Sequence, residues 1–344
     1  MDDTTFEGHS PKDVARDISR DIATLLVAHM DGYALLNKNP FAQVDGYPPE
    51  HPGSAPIRID KYLGDAAKDI VQEIRIEQPT LYGATLYQEE EIQLSYIKGE
   101  DTRRYRVVVD PLDGSTIYSA FGVGCVSVLV YWWKNPDDRQ RREDIWQLQG
   151  GCIALNNGYA FTYTLNRRRF QDPFGTVRAD VAVSRFDQRP RSRGDYRPVD
   201  IINPNIDLDD RNPEGKSTYV LASTAGSSRR RKSIEEDLAR HSVDIDFLGS
   251  FAANLSVWGA VLGTTSVIID PAPSTMHDGN YLLVLQALNW IVLDAKTWDV
   301  VPLLTIAERH CEPTITREAR IPPIYAFRNR AVMERWRESN DPRS

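Results

Sequence analysis

Apolar residues recur along the chain with two periods, one typical of helices and one typical of strands. Near the N-terminus a helical spacing predicts helices at 10–36 and 60–76, the first with Ser10 as its cap and Pro11 in its first turn. Shorter apolar runs follow, and several of them are expected to pair as an antiparallel meander. These runs predict strands at 80–89, 105–109, 126–133, 147–154, 158–164 and 180–184.

A polar stretch separates this first group of elements from a second. Residues 188–216 are rich in Pro, Arg, Asp and Asn, and we predict an insertion loop there. The chain therefore divides into an N-terminal half (1–187), the insertion (188–216) and a C-terminal half (217–344). The C-terminal half is predicted to contain strands at 218–222, 244–248, 266–270, 290–293 and 324–326, and helices at 233–241, from 249 onwards, at 280–287 and at 330–336.

Composition narrows the class of protein. The 344 residues, 41% of them hydrophobic and 26% charged, are typical of a globular protein with a large core. The net charge of −8 argues against nucleic-acid binding. Cys125, Cys152 and Cys311 form no Cys-x-x-Cys pair, which argues against a zinc site or a disulfide scaffold. Because we find no apolar run of about 18 residues and no signal peptide, we expect a cytoplasmic protein that does not enter a membrane.

The stretch after the predicted strand 105–109 carries candidate chemistry. In Asp110-Pro111-Leu112-Asp113-Gly114-Ser115-Thr116, two carboxylates are separated by a rigid proline and point into one small volume. The Gly-Ser-Thr that follows can expose backbone N–H groups to an anion at a turn or helix start. This combination suits a Mg²⁺ ion held between the carboxylates and a phosphate. An ordinary strand and turn with an Asx cap explains the same local pattern.

Two further groups of acidic residues lie at the ends of predicted elements. Glu89, Glu90 and Glu91 end a predicted strand, and Asp278 begins a predicted helix. Adjacent glutamates commonly form a solvated surface. Strand ends, however, are where ligands and metals collect in proteins of mixed architecture, so one of the glutamates is a candidate to face the two aspartates.

These acidic groups resemble the pattern of the Mg²⁺-dependent, lithium-sensitive phosphomonoesterase superfamily. That superfamily comprises inositol monophosphatases, fructose-1,6-bisphosphatases and bisphosphate nucleotidases. Its pattern is Glu-Glu, then Asp-Pro-Ile/Leu-Asp-Gly-Ser/Thr, then Trp-Asp followed by small residues. The spacing resembles the inositol monophosphatase branch and favours Glu90 as the ligand. Segments 57–61, 220–228, 248–254 and 324–329 are also similar to that branch.

The resemblance implies an α+β fold, the layered α-β-α-β-α sandwich of this superfamily. It implies one globular unit in two halves, with the metal ions at their junction, and commonly a homodimer. It also implies a Mg²⁺ cofactor and a small phosphorylated substrate.

The resemblance further implies roles for individual residues. The implied metal ligands are Glu90, Asp110, the Leu112 carbonyl and Asp113 for Mg²⁺, and Asp278 for a second ion. Asp60, Glu90 and Ser115 are the implied catalytic residues, of which Asp60 and Ser115 orient the attacking water. The backbone N–H groups of Gly114 and Ser115 are implied to hold the phosphate. Asp270 is implied to bind hydroxyl groups of the substrate, and Phe251 and Ala252 are implied to border the same pocket.

The sequence departs from the family pattern beside Asp278. His277 stands where the family has Trp, Gly279-Asn280-Tyr281 replaces the small residues, and Gln88 replaces a glycine before the glutamates. These changes predict a substrate range different from that of a standard inositol monophosphatase. His277 has two explanations at this point: a further metal ligand or acid, or a histidine that packs in the core.

The sequence is compatible with three functions. The first is a Mg²⁺-dependent phosphomonoesterase acting on a small polyol or sugar phosphate. The second is a bisphosphate nucleotidase or a fructose-1,6-bisphosphatase. The third is a catalytically weak protein that binds phosphorylated ligands. The P-loop, Gly-x-Ser-x-Gly and His-Glu-x-x-His signatures are absent from the sequence, which argues against other hydrolase mechanisms.

Overall fold

Two long helices open the fold. In the computed structural model, α1 spans Pro11–Leu36 and α2 spans Arg58–Glu77. Ser10 caps α1 by accepting a hydrogen bond from the Asp13 backbone N–H at 3.3 Å, and Pro11 occupies the first turn, where no hydrogen-bond donor is needed. Both predicted helices are confirmed.

The structure describes most of the chain, in segments. These are residues 10–37, 39–42, 58–77, 85–88, 91–95, 105–133, 146–166, 179–186, 196–199, 217–223, 232, 234–236, 238–239, 244–251, 253–261, 263–310 and 320–339.

The first sheet contains eight strands among the described residues, in the order β2-β1-β3-β4-β5-β6-β7-β8. Strands β4 to β6 form the antiparallel meander that the sequence predicts, and β3, β7 and β8 extend it in the same antiparallel manner. Strand β1 runs parallel to β3 and antiparallel to β2. The strands are β1 Thr85–Gln88, β2 Glu91–Ser95, β3 Tyr105–Asp113, β4 Cys125–Trp133, β5 Trp146–Leu155, β6 Tyr159–Leu165, β7 Ala179–Phe186 and β8 Tyr196–Val199.

Strand β8 corrects part of the loop prediction for 188–216. Residues Tyr196–Val199 pair antiparallel with β7 and extend the sheet by one strand. The sequence prediction missed this strand because Arg197 is charged and Pro198 cannot donate to a β-ladder. An edge strand tolerates both residues. The remainder of the 188–216 stretch lies outside the described residues, and the division of the chain into halves stays a prediction.

The second sheet contains five strands within the described segments, in the order β10-β9-β11-β13-β12. Strand β9 runs parallel to β10 and β11, and β13 runs antiparallel to β11 and β12. The strands are β9 Ser217–Ser223, β10 Asp244–Phe251, β11 Val267–Asp270, β12 Ile291–Asp294 and β13 Ile324–Phe327.

Strand β10 is longer than the sequence predicts. We expected a helix from residue 249, but after an irregularity between Phe247 and Gly249 the strand continues, and Phe251 pairs with Ser223. Pairing with β9 overrides the helical preference of the small residues here. The helix begins later, at Ser256.

The remaining helices are short. The helices at 115–121 and 303–310 were not predicted from the sequence, whereas the helix at 280–287 was predicted with the bounds observed. Their bounds are α3 Ser115–Phe121, α4 Ser256–Val261, α5 Asn280–Ala287, α6 Leu303–His310 and α7 Arg330–Ser339. Residues 232, 234–236 and 238 are also helical. No helix in the described segments is long and apolar enough to cross a membrane.

Apolar packing arranges these elements in five layers. One cluster joins α1 and α2 to the first sheet, and Ile22 and Val109 are fully buried in it. A second fills the space between the two sheets around α5, whose residues 280–286 are all buried. A third packs Trp336 of α7 against the outer face of the second sheet. The layers confirm the predicted α+β, α-β-α-β-α architecture.

Candidate metal centre

The carboxylates of Asp110 and Asp113 share one face of β3 because the strand is irregular between them. Residues three apart on a regular strand point to opposite faces. Here Asp110 pairs with Ser127 of β4 and Asp113 pairs with Cys125, so three residue steps on β3 match two on β4. A proline at position 111 fits this site because it cannot donate to a ladder. The bulge, followed by Gly114 in a left-handed conformation (φ 85°), ends the strand and starts α3.

Backbone groups hold the first two carboxylates in place. Asp110 Oδ1 accepts from the Leu112 N–H at 3.1 Å, which closes a local Asx turn. Asp113 Oδ2 accepts from the Asn254 N–H at 2.6 Å, from the turn that precedes α4. This short bond between residues far apart in sequence connects the first sheet to the second half of the chain.

Asp278 reaches the same place from the turn before α5. Its Oδ2 accepts from the Thr275 hydroxyl at 2.7 Å and from the Thr275 N–H at 3.4 Å. Carboxylate oxygens of Asp110, Asp113 and Asp278 all lie within 4.8 Å of one another. Asp110 and Asp113 are buried, and Asp278 is partly exposed. The structure thus brings together three of the predicted ligands.

A network of buried hydrogen bonds holds the turn that carries Asp278. Asn254 Nδ2 donates to the His277 carbonyl at 2.8 Å, and its Oδ1 accepts from the Tyr281 N–H at 2.9 Å. Ser127 Oγ also donates to the His277 carbonyl, at 3.0 Å. Asn280 then donates to Ser127 Oγ at 2.9 Å. The turn that carries Asp278 is therefore held against β4 and the α4 segment.

Sequence reasoning assigned no hydrogen-bonding role to Asn254, Ser127 or Asn280. Asn254 stood at the end of a segment similar to the family, which was the one available signal. Ser127 gave no signal, because a single polar residue in an apolar run does not show what it faces. Asn280 was noted only as a departure from the family pattern. Tyr163 completes the network by donating to Asn280 Oδ1 at 2.7 Å.

The electrostatic field of the cluster is negative. Burial raises the pKa of the Cys125 thiol well above its ordinary value, and the charges of Asp113 and Asp110 raise it further. Burial likewise raises the pKa of the Tyr281 phenol, with added effects from Asp270 and Asp113. No hydrogen-bond partner for Tyr281 Oη is found among the described residues. A cation would remove the part of each pKa shift that the carboxylate charges cause, while the larger part, due to burial, would remain.

The other predicted site residues are placed as follows. Asp60 is buried in the first turn of α2, where a carboxylate is favourable to the helix. Ser115 is the first residue of α3 and is partly buried. Asp270 is buried at the end of β11, and its Oδ1 accepts from the Ala272 N–H at 3.2 Å.

The remaining predicted residues are Phe251, Leu112, Glu89, Glu90 and Ala252. Phe251 is the last residue of β10. Leu112 is described and buried, but its proposed role belongs to its carbonyl oxygen. Glu89, Glu90 and Ala252 lie outside the described residues.

The donor set fits a small divalent cation. Carboxylate oxygens are the ligands that Mg²⁺ prefers, and here they come from side chains that backbone N–H and hydroxyl groups already orient. Three carboxylates this close repel one another unless a cation or protons neutralise them. The arrangement can hold a hard cation beside the N-terminus of α3, where backbone N–H groups are available to an anion.

Comparison with known proteins gives a match in structure but not in sequence. No protein-family model matches the chain. No curated protein matches it either.

Solved structures match over nearly the whole chain. SuhB, an extragenic suppressor protein from Bartonella henselae, is 15% identical with a TM-score of 0.53, over 96% of this chain and 99% of that one. Fructose-1,6-bisphosphatase from Leishmania major is 14% identical with a TM-score of 0.56, over 97% of each chain. CysQ from Bacteroides thetaiotaomicron, a bacterial member of the inositol monophosphatase family, is 12% identical with a TM-score of 0.53, over 93% and 99%. The chain has the inositol monophosphatase/fructose-1,6-bisphosphatase fold, as the sequence resemblance implied.

Proposed function

We propose that the protein is a Mg²⁺-dependent phosphomonoesterase that hydrolyses a small polyol or sugar phosphate. The observation that carries the proposal is the convergence of Asp110, Asp113 and Asp278 within 4.8 Å, in a fold shared with a fructose-1,6-bisphosphatase. Two of these residues come from β3 and the third from the turn before α5, so folding assembles the cluster from distant segments.

In this proposal the acidic residues hold the cations and the start of α3 holds the phosphate. Glu90, Asp110, the Leu112 carbonyl and Asp113 would hold one ion, and Asp278 a second. When bound, Mg²⁺ supplies a water acidic enough to act as nucleophile near neutral pH and neutralises phosphate charge. The Gly114 and Ser115 N–H groups would donate to phosphate oxygens, because the first turn of a helix leaves its N–H groups without intrahelical acceptors.

Two further groups would act on the water and on the substrate. Asp60 and the Ser115 hydroxyl would orient the attacking water, with the Asp60 carboxylate as acceptor. The Asp270 carboxylate is a candidate acceptor for substrate hydroxyl groups, and Phe251 and Ala252 would border them. An acidic residue facing neighbouring hydroxyls favours a polyol or sugar over an apolar alcohol. A cytoplasmic location and a homodimer remain expectations from the sequence.

The test is a phosphate-release screen of the purified protein. Inositol phosphate, hexose phosphates, fructose-1,6-bisphosphate and a nucleoside bisphosphate would be compared in Mg²⁺ and in EDTA. We expect release that requires Mg²⁺, falls by more than a hundredfold in Asp110→Asn, and is unchanged in Asp180→Asn. Asp180 is a matched control because it is an exposed aspartate on β7.

Three other outcomes would redirect or contradict the proposal. Faster release from the nucleoside bisphosphate or the sugar bisphosphate than from the monophosphates would favour the second predicted function. No release from any substrate would contradict a phosphatase. If Mg²⁺-dependent ligand binding persisted without release, the protein would instead be a phosphate-ligand-binding protein.

A further inference from the structure

The side chains of Thr275, His277 and Asp278 form a hydrogen-bonded chain beside the acidic cluster. Thr275 Oγ1 lies 2.7 Å from Asp278 Oδ2 and 2.8 Å from His277 Nε2. We propose that Thr275 and His277 are positioning residues that hold Asp278 as a monodentate ligand and thereby favour the binding of Mg²⁺ over that of Ca²⁺. This proposal rests on the proposed function, since it assigns Asp278 to a cation.

The directions of the hydrogen bonds follow from the groups involved. An ionised carboxylate has no hydrogen to donate, so the Thr275 hydroxyl donates its single hydrogen to Asp278 Oδ2. The same hydroxyl oxygen then can only accept from His277, which places the ring hydrogen on Nε2. A protonated Nε2 has no lone pair for a metal. His277 therefore acts through Thr275 and not as a ligand through this nitrogen.

The histidine is itself held firmly. Its side chain is almost fully buried, and its backbone carbonyl accepts from Ser127 Oγ at 3.0 Å and from Asn254 Nδ2 at 2.8 Å. The Asn254 backbone N–H in turn donates to Asp113 Oδ2. His277 is thus fixed relative to a second carboxylate of the cluster, and Thr275 transmits that position to Asp278.

The two oxygens of Asp278 differ as a result. Oδ2 is occupied by the hydroxyl and the backbone N–H of Thr275, at 2.7 and 3.4 Å. Oδ1 lies 3.9 Å from His277 Nε2, beyond hydrogen-bond distance, and in this proposal it is the oxygen that binds the cation. Bidentate carboxylates suit the large, flexible shell of Ca²⁺, whereas Mg²⁺ keeps a tight octahedron with single oxygens from each carboxylate.

Cation binding to the purified protein tests this directly. The free Mn²⁺ signal in electron paramagnetic resonance would give the Mn²⁺ affinity, and competition would give those of Mg²⁺ and Ca²⁺. Thr275→Val removes the hydroxyl at constant shape. Thr275→Ser restores it. Thr265→Val is the matched control, because Thr265 is a buried threonine of the loop before β11.

We expect Thr275→Val to lose about tenfold in Mg²⁺ affinity, as is common when a group that orients a metal ligand is removed. The Ca²⁺ affinity should fall less, so the Mg²⁺/Ca²⁺ preference should drop. Thr275→Ser and Thr265→Val should keep the wild-type preference. His277→Phe leaves the Thr275 hydroxyl but removes the ring N–H that donates to it. The Mg²⁺ affinity and the Mg²⁺/Ca²⁺ preference of this variant should lie between those of the wild type and of Thr275→Val. This variant also keeps the test open if Thr275→Val does not fold.

Three results would overturn the proposal, each in a distinguishable way. If the wild type binds Mn²⁺ and both variants keep its affinities and its Mg²⁺/Ca²⁺ preference, Thr275 and His277 do not position Asp278. If the wild type binds no Mn²⁺, the proposed function fails and the positioning role fails with it. A loss of thermal stability without a change in cation preference would show a purely structural role.

Discussion

Replacing Asp278 with asparagine should stabilise the cation-free protein while weakening its response to Mg²⁺. The substitution removes one charge from the cluster but leaves a side-chain oxygen to accept from the Thr275 hydroxyl, which now lies 2.7 Å from Oδ2. The local turn is therefore kept. What changes is the repulsion between Asp278 and the carboxylates of Asp110 and Asp113.

The magnitude follows from the spacing of the oxygens. Two like charges 4.8 Å apart, the upper limit within this cluster, repel by about 0.9 kcal/mol at the dielectric constant of water and by about 3.5 kcal/mol at an effective value of 20. Asp278 faces two such charges. At the dielectric constant of water, the substitution therefore removes a repulsion of about 2 kcal/mol. For a chain of this length, that is a rise of about 3 °C in Tm.

Saturating Mg²⁺ should make the wild type more stable than Asp278→Asn. A ligand at 100 times its Kd stabilises the folded state by about 2.7 kcal/mol. The wild type gains this amount, whereas Asp278→Asn, with one ligand less, gains a smaller part of it. We expect the variant to gain less than about 0.7 kcal/mol, which is the wild-type gain less the variant's lead of about 2 kcal/mol, so the wild type should then exceed the variant in Tm.

Thermal unfolding by circular dichroism, in EDTA and in saturating Mg²⁺ at constant ionic strength, measures both effects. Asp180→Asn controls for the removal of an exposed aspartate and should change neither. The reasoning is refuted if Asp278→Asn is less stable than the wild type in EDTA and gains as much from Mg²⁺. That result would make Asp278 a structural residue whose charge is already neutralised within the protein.

Two other substitutions test the buried polar groups. Tyr281→Phe should stabilise the EDTA-treated protein by about 1 kcal/mol, because burial of a hydroxyl with no partner among the described residues is costly, and a lower Tm in the same melting experiment would contradict this. Asp31→Asn should raise the Tm at pH 7, since burial raises the pKa of the Asp31 carboxyl and disfavours its charge, while an amide oxygen can still accept from Tyr118 and Asn156. Because Asp31 is neutral in both states well below its ordinary pKa of 3.8, the gain should shrink towards pH 3, and a gain independent of pH would count against this cause.

The part of the site that sequence reasoning found is the part encoded by neighbouring residues. Asp110, Pro111 and Asp113 lie within four consecutive positions, so one short segment determines both the bulge and the two carboxylates. The length and buried face of α1 were predictable for the same reason, since its cap and its apolar spacing are local. Asp278 was found through the similarity of its surroundings to a known pattern.

The part that was missed depends on contacts between distant segments. Asn254 acts through its backbone N–H on Asp113, and no side-chain pattern reports such a bond. The extension of β10 through Phe251 follows from pairing with β9, against the local preference of small residues. The hydrogen bond between Thr275 and His277 could not be predicted because it depends on the conformation of the turn before α5.

The central claim is that Asp110, Asp113 and Asp278 together hold a divalent cation, and anomalous diffraction from crystals soaked in Mn²⁺ tests it most directly. The account predicts an anomalous peak about 2.1 Å from a carboxylate oxygen of Asp110 and of Asp113, with Asp278 contributing Oδ1 to this ion or to a second peak beside it. Anomalous peaks elsewhere on the protein, with none between these three carboxylates, would contradict it.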